Sequence, residues 1–150
     1  MTSWRATTPE PVQADLDALV REGLEMARAM LEQSGEFYPF AVVVDDTGEI
    51  RLAAADAPDT DLPQSADVLE VLYAGIANDP TGLCGVGFVA DVTHGEGSAV
   101  QIEAEHRDGG PAIVVTAPYR RKGLLGTKTK FDPLAASEGG RHVWATPPPT

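Results

Sequence analysis

Leu83-Cys84-Gly85-Val86-Gly87-Phe88-Val89-Ala90-Asp91-Val92, then Ala99-Val100-Gln101-Ile102-Glu103-Ala104-Glu105-His106-Arg107, then Pro111-Ala112-Ile113-Val114-Val115-Thr116-Ala117-Pro118-Tyr119 are three strand-like runs in close succession. The stretches between them, Thr93 to Ser98 and Asp108-Gly109-Gly110, have turn chemistry. In the middle run Val100, Ile102 and Ala104 alternate with Gln101, Glu103 and Glu105, so one face is expected to be buried and the other wet, as in an antiparallel meander. In the first run Cys84, Val86, Phe88, Ala90 and Val92 share a face, and Gly85 and Gly87 lie on the other. Two glycines on one strand face predict a close neighbour there.

Upstream, Thr8-Pro9-Glu10 reads as a helix start, with Thr8 as N-cap and Pro9 at the first helical position. Val12, Leu16, Leu19, Val20, Gly23, Ala27, Met30 and Leu31 recur at helical spacing, and Gly35 offers a left-handed cap. Gly23 on the apolar stripe predicts a close approach by a sheet or a second helix. Phe37-Tyr38-Pro39-Phe40 leads into Ala41 to Val44, which with Glu49 to Ala53 flanks Asp45-Asp46-Thr47-Gly48, and the pair reads as a hairpin. A polar loop over 55–63 leads to a second helix capped by Asp61 or Ser65. Its stripe is Val68, Leu69, Leu72 and Ile76, with Tyr73 at the edge. After Tyr119 the pattern weakens. Thr127 to Phe131 reads as an edge strand, Asp132-Pro133 as the start of a short helix closed by Gly139-Gly140, and Arg141 to Trp144 as extended chain.

The fold class is therefore α+β, a single antiparallel sheet of about five strands with flanking helices, in the order α-β-β-α-β-β-β-(short α). The organisation is a loose N-terminus over 1–8, one domain over 9–140, and an extended or disordered Pro-rich tail over 141–150. The first and last strands are expected to be sheet neighbours. The order of elements resembles the roadblock/longin and profilin-like architectures across residues 9–140. That topological resemblance implies a scaffold or dimerising module.

Composition narrows the function classes. The chain has 150 residues, of which 43% are hydrophobic. That is enough for a core without disulfides, and Cys84 is the only cysteine. No apolar run approaches the ~20 residues of a membrane helix. The net charge of -12 opposes nucleic acid and anionic lipid. Arginine-rich composition gives a bacterial, high-GC impression, and the absence of a signal-peptide core suggests the cytoplasm. The charge is uneven. Residues 120–150 hold six cations and two acids, and residues 1–119 hold five cations and 21 acids.

Several chemistries lack their residues. Gly95-Glu96-Gly97-Ser98 has no phosphate-binding lysine, and Gly85-Val86-Gly87 lies inside a strand. There is no nucleophile elbow, and no cofactor is expected. The Asp45-Asp46-Glu49 and Asp56-Asp59-Asp61 groups lack calcium-loop spacing and read as turn formers and caps. Cys84 reads as a small structural hydrophobe. His94 and Glu96 share a loop and are the metal or ligand alternative, although His106 lies at the far end of the next strand. The candidate partner-binding residues are the cations Arg120, Arg121, Lys122, Lys128 and Lys130 with the aromatics Tyr38, Phe40 and Tyr119, since aromatics beside cations are frequent interaction anchors. The plain reading of the same cations is a solvated strip, or one folded back on the acidic body.

The expectation is thus a non-catalytic association module, binding a second copy of itself or another protein. The alternatives are a small enzyme or ligand binder with a pocket at the sheet end, and an acidic inhibitor or immunity-type protein for a basic partner.

Overall fold

The chain is described by a computed structural model over residues 4–53, 65–122 and 128–144. After a 3-10 turn at Trp4–Thr7, helix α1 runs over Glu10–Ser34. The N-cap position falls on Pro9, not Thr8, and no side chain caps the helix. The Thr8 hydroxyl instead donates back to the Trp4 carbonyl at 2.6 Å. At the other end Gly35 adopts φ 81° and its N–H closes on the Leu31 carbonyl at 2.8 Å, the left-handed stop that glycine accommodates without a Cβ clash.

Strand β1 (Phe40–Asp45) and β2 (Ile50–Ala53) form the hairpin. Its turn is built by Asp45, whose Oδ1 accepts the N–H groups of Thr47 and Glu49 at 2.9 and 3.0 Å. Helix α2 spans Ser65–Asn78, and the polar loop and Asp61 cap before it lie outside the described residues. Then come β3 (Leu83–His94), β4 (Gly97–His106), β5 (Ala112–Lys122), β6 (Lys128–Phe131) and β7 (Ala135–Gly139).

All strands join one antiparallel sheet in the order β2-β1-β3-β4-β5-β6, so the protein is α+β. The first and last strands are not neighbours: β1 pairs with β3, and β5 lies two strands further out. The crossover through α2 returns the chain beside β1, and the tight β3-β4 and β4-β5 turns then step the meander away from it. The segment after β6 is strand rather than short helix. β7 pairs with residues 112–116 of β5, on the edge that β6 covers only from Tyr119 outward. A long strand with half its edge open offers backbone partners that a two-turn helix would leave unmet.

The two helices take opposite faces. Leu16, Leu19 and Leu31 of α1 are fully buried against Val42, Val89, Val100, Ile102 and Ile113. Each such leucine contributes about 1.5–3 kcal/mol of burial. A Cβ on Gly23 would sit 3.1 Å from both Ile102 Cδ1 and Val89 Cγ2, and one on Gly85 would sit 3.1 Å from Leu19 Cδ1. These small residues let helix and sheet approach, as their positions predict.

Val68 and Leu72 of α2 pack on Ala41, Val43, Val86 and Phe88. Cys84 departs from this face and packs with the α1 cluster. The β1-β3 register shifts between Val44 and Asp45, which pair with Gly85 and Leu83 and leave Cys84 as the extra residue of a bulge. The supposedly wet face of β4 also differs from expectation. Glu105 is 1% exposed, because residues 141–144 cross the sheet there and Val143 and Trp144 join the α2-side core. Among the described residues no helix is long and apolar enough to cross a membrane.

Candidate functional site

The β5-β6 register gathers the cations. Arg120 stands opposite Lys130, Arg121 opposite Thr129, and Lys122 opposite Lys128. Like charges directly opposite across a strand pair are destabilising, by a few tenths to about 1 kcal/mol each. Arg120, Lys128 and Lys130 are exposed, and Asp132 relieves one of them through a 3.1 Å ion pair with Arg120. Arg121 belongs to the opposite side of the ribbon. Its Nη2 donates to the Leu31 carbonyl at 2.6 Å, in space left by the missing side chain of Gly35. It completes the C-terminus of α1 and is not displayed with the others.

The aromatic candidates separate in the same way. Phe40 is 2% exposed, part of the α1-side core, with Phe37 edge-on at 5.5 Å. Tyr38 is 53% exposed. It stands between two concavities, one of about 360 Å³ lined by Ser34, Glu36, Phe37, Tyr38 and Asp91, the other of about 320 Å³ reaching Met30, Leu52 and Val68. Tyr119 donates its hydroxyl to Asp91 Oδ1 at 2.8 Å, and burial followed by that bond pushes its phenol up to about 12. Asp91 therefore bonds Tyr119 and also lines the cavity that Tyr38 lines, although β1 and β5 are not neighbouring strands.

His94 and Glu96 are exposed at the β3-β4 turn, where His94 pairs with Gly97. His106 pairs with Gly85 at the other end of the same ladder. Among the described residues no group of three His, Cys, Asp or Glu side chains is placed to hold a metal ion. His106 is committed on both nitrogens. Nδ1 accepts the Asp108 N–H at 3.0 Å, which leaves the proton on Nε2, and this donates to Asp15 at 2.8 Å. Cys84 is half-buried with its thiol donating to Asp46 at 3.2 Å. Burial first, then Asp46, raises its pKa, the opposite of what a nucleophilic thiolate needs.

One cluster has no counterpart in the sequence reading. On the α2 side of the sheet, Glu103 accepts the Tyr73 hydroxyl on Oε1 and His142 Nε2 at 2.6 Å on Oε2. The Tyr73 and His142 rings stack at 3.7 Å, and burial followed by the bond to Glu103 raises the Tyr73 phenol. Beside it, Glu105 accepts the backbone N–H groups of His142, Val143 and Trp144 at 2.6, 2.9 and 2.8 Å. Arg141 donates to the carbonyls of His106, Gly110 and Trp144. The only trace of this in the sequence is a pair of acids at alternate positions of a strand, which equally describes a solvated face.

Comparison of the chain with protein-family models, with curated proteins and with solved structures gives no match. The functional reading rests on this geometry.

Proposed function

We propose that the chain is a non-catalytic association module that binds an acidic protein surface through the β5-β6 ribbon. The observation that carries the proposal is the opposition of Arg120 to Lys130, with Lys128 exposed on the same strand, in a chain with a net charge of -12. A repulsive pair beside a further exposed cation weakens the ribbon by itself and makes sense where an anionic partner neutralises it. Nucleic acid suits this less well, since the acidic body of residues 1–119 repels a polyphosphate approaching the same molecule. That same body makes a second copy one partner of the right charge. Among the described residues, His106 is internally bonded, and Cys84 is held away from its thiolate form, which favours binding over catalysis.

The test is binding of a fluorescent deca-glutamate peptide to the full chain, with its salt dependence. The triple variant Arg120→Gln, Lys128→Gln, Lys130→Gln should lose at least tenfold in affinity while its circular dichroism and urea midpoint stay near wild type. Equal affinity in the two proteins would sink the reading. Arg121 is left out of this variant because its role at α1 would mix stability with binding.

A second reading is a small-molecule site at the sheet end, favoured by the cavity that Tyr38 shares with Glu36 and Asp91. Native mass spectrometry separates the two: a retained small mass supports the cavity, and a bare monomer or dimer supports the association module.

A further inference from the structure

Residues 141–144 are held as a bound peptide is held. Their backbone contributes three consecutive N–H groups to the one carboxylate of Glu105. The His142 ring lies flat on Tyr73, with an interplanar angle of 3°, and Val143 and Trp144 enter the apolar floor around Phe88. Arg141 grips carbonyl oxygens at the β4-β5 end. None of this is strand pairing: the sheet ladders of β3, β4 and β5 are complete without the segment.

The chemistry of the floor matters here. A carboxylate 1% exposed is costly to bury, and a valine or leucine would close a strand face more cheaply. Among the described residues no ion pair reaches Glu105. It is balanced by main-chain donors that nearly any polypeptide presents. Recognition of this kind takes affinity from the backbone and selectivity from a few side-chain positions. Those positions are a ring to stack on Tyr73 and donate to Glu103, an apolar pair, and a guanidinium. Gly140 alone separates the segment from β7, whose last residue, Gly139, pairs with Ala112 of β5.

We infer that the α2 side of the sheet is a peptide-binding groove, occupied by the chain's own Arg141-His142-Val143-Trp144 strap and able to take a polypeptide segment of the same chemistry from another molecule when the strap lifts. The groove lies on the other element pair from the basic ribbon's own contacts, and the inference does not depend on the ribbon's function. In the closed state the strap is a competitor in cis, so an external segment binds only in proportion to the fraction open.

The experiment uses a fluorescein-labelled peptide of residues 139–146 and the full chain. Weakening the strap with Arg141→Ala, His142→Ala and Trp144→Ala should raise the affinity for that peptide at least tenfold over wild type. Adding Glu105→Gln to this variant should remove the gain. Equal binding by wild type and strap variant, or a gain that survives Glu105→Gln, overturns the inference. Amide hydrogen exchange of the unaltered protein gives a second readout should the strap variant fail to fold. The N–H groups of His142, Val143 and Trp144 are expected to exchange while those of β3 and β4 remain protected. Exchange of strap and sheet together would show that the strap never lifts alone, and would equally overturn it.

Discussion

The Arg121 guanidinium reaches from β5 to the carbonyl oxygen of Leu31, 2.6 Å away in the last turn of α1. It gives that carbonyl a second donor beside the Gly35 N–H and places a positive charge where the helix dipole is negative. Arg121→Ala is expected to cost about 1 kcal/mol, the range for a partly exposed charged hydrogen bond at a helix end. Urea denaturation measures this. A change below a few tenths would mean that the contact contributes nothing to α1.

Lys130→Gln removes one half of the Arg120–Lys130 opposition. The protein should become more stable at low salt by a few tenths of a kcal/mol, with the gain shrinking as salt screens the pair. Affinity for the acidic peptide should fall in the same variant. Urea midpoints at low and high ionic strength decide it: a destabilised Lys130→Gln protein contradicts the repulsion.

How far these arrangements are legible in the sequence depends on what each signal reports. Helical spacing from Val12 to Leu31 marks a face, and α1 buries that face. Alternation from Val100 to Glu105 marks two faces but says nothing of what covers the second. The strap comes 37 residues after Glu105, so the carboxylate reads as wet. Strand order is equally non-local, which is why β1 pairs with β3 where a neighbouring β5 is the sequence expectation. Asp132-Pro133 and Gly139-Gly140 punctuate a strand as well as a helix. The open edge of β5 selects between them. Of the candidate site, the clustering of cations is visible in the sequence, and the turning of Arg121 to α1 is not.

Gly23 faces Ile102 and Val89 at distances that leave little room for a branched side chain. Gly23→Val is expected to lose about 1–3 kcal/mol by overpacking. Thermal or urea unfolding reads this directly, and an unchanged midpoint would mean that α1 shifts outward at no cost.

The raised phenol of Tyr119 sets a sign for alkaline stability. The folded protein keeps this proton up to about 12, and an unfolded tyrosine releases it near 10. Its contribution is therefore whole below about pH 10 and is lost as pH rises from there through about 12. The stability gap between wild type and Tyr119→Phe should be constant near neutrality and close over that alkaline window. A gap that does not narrow would contradict the bond to Asp91.

Cys84 should alkylate slowly at about pH 8, because burial and Asp46 disfavour its thiolate. Asp46→Asn removes one of these influences and leaves the opposing charge of Arg107 in place. Iodoacetamide kinetics should quicken several-fold in the variant. Unchanged rates would assign the protection to burial alone.

The position of the strap in the chain has a temporal consequence. Tyr73, Glu103 and Glu105 all leave the ribosome before His142, which follows Glu105 by 37 residues. At about 5–20 residues per second that interval is roughly two to seven seconds. Every newly made copy therefore passes through a stage in which the groove's acids and rings have been synthesised and their own occupant has not. During that interval Glu105 has been made without the backbone donors that satisfy it, so its burial is completed only after every strand of the sheet has been synthesised.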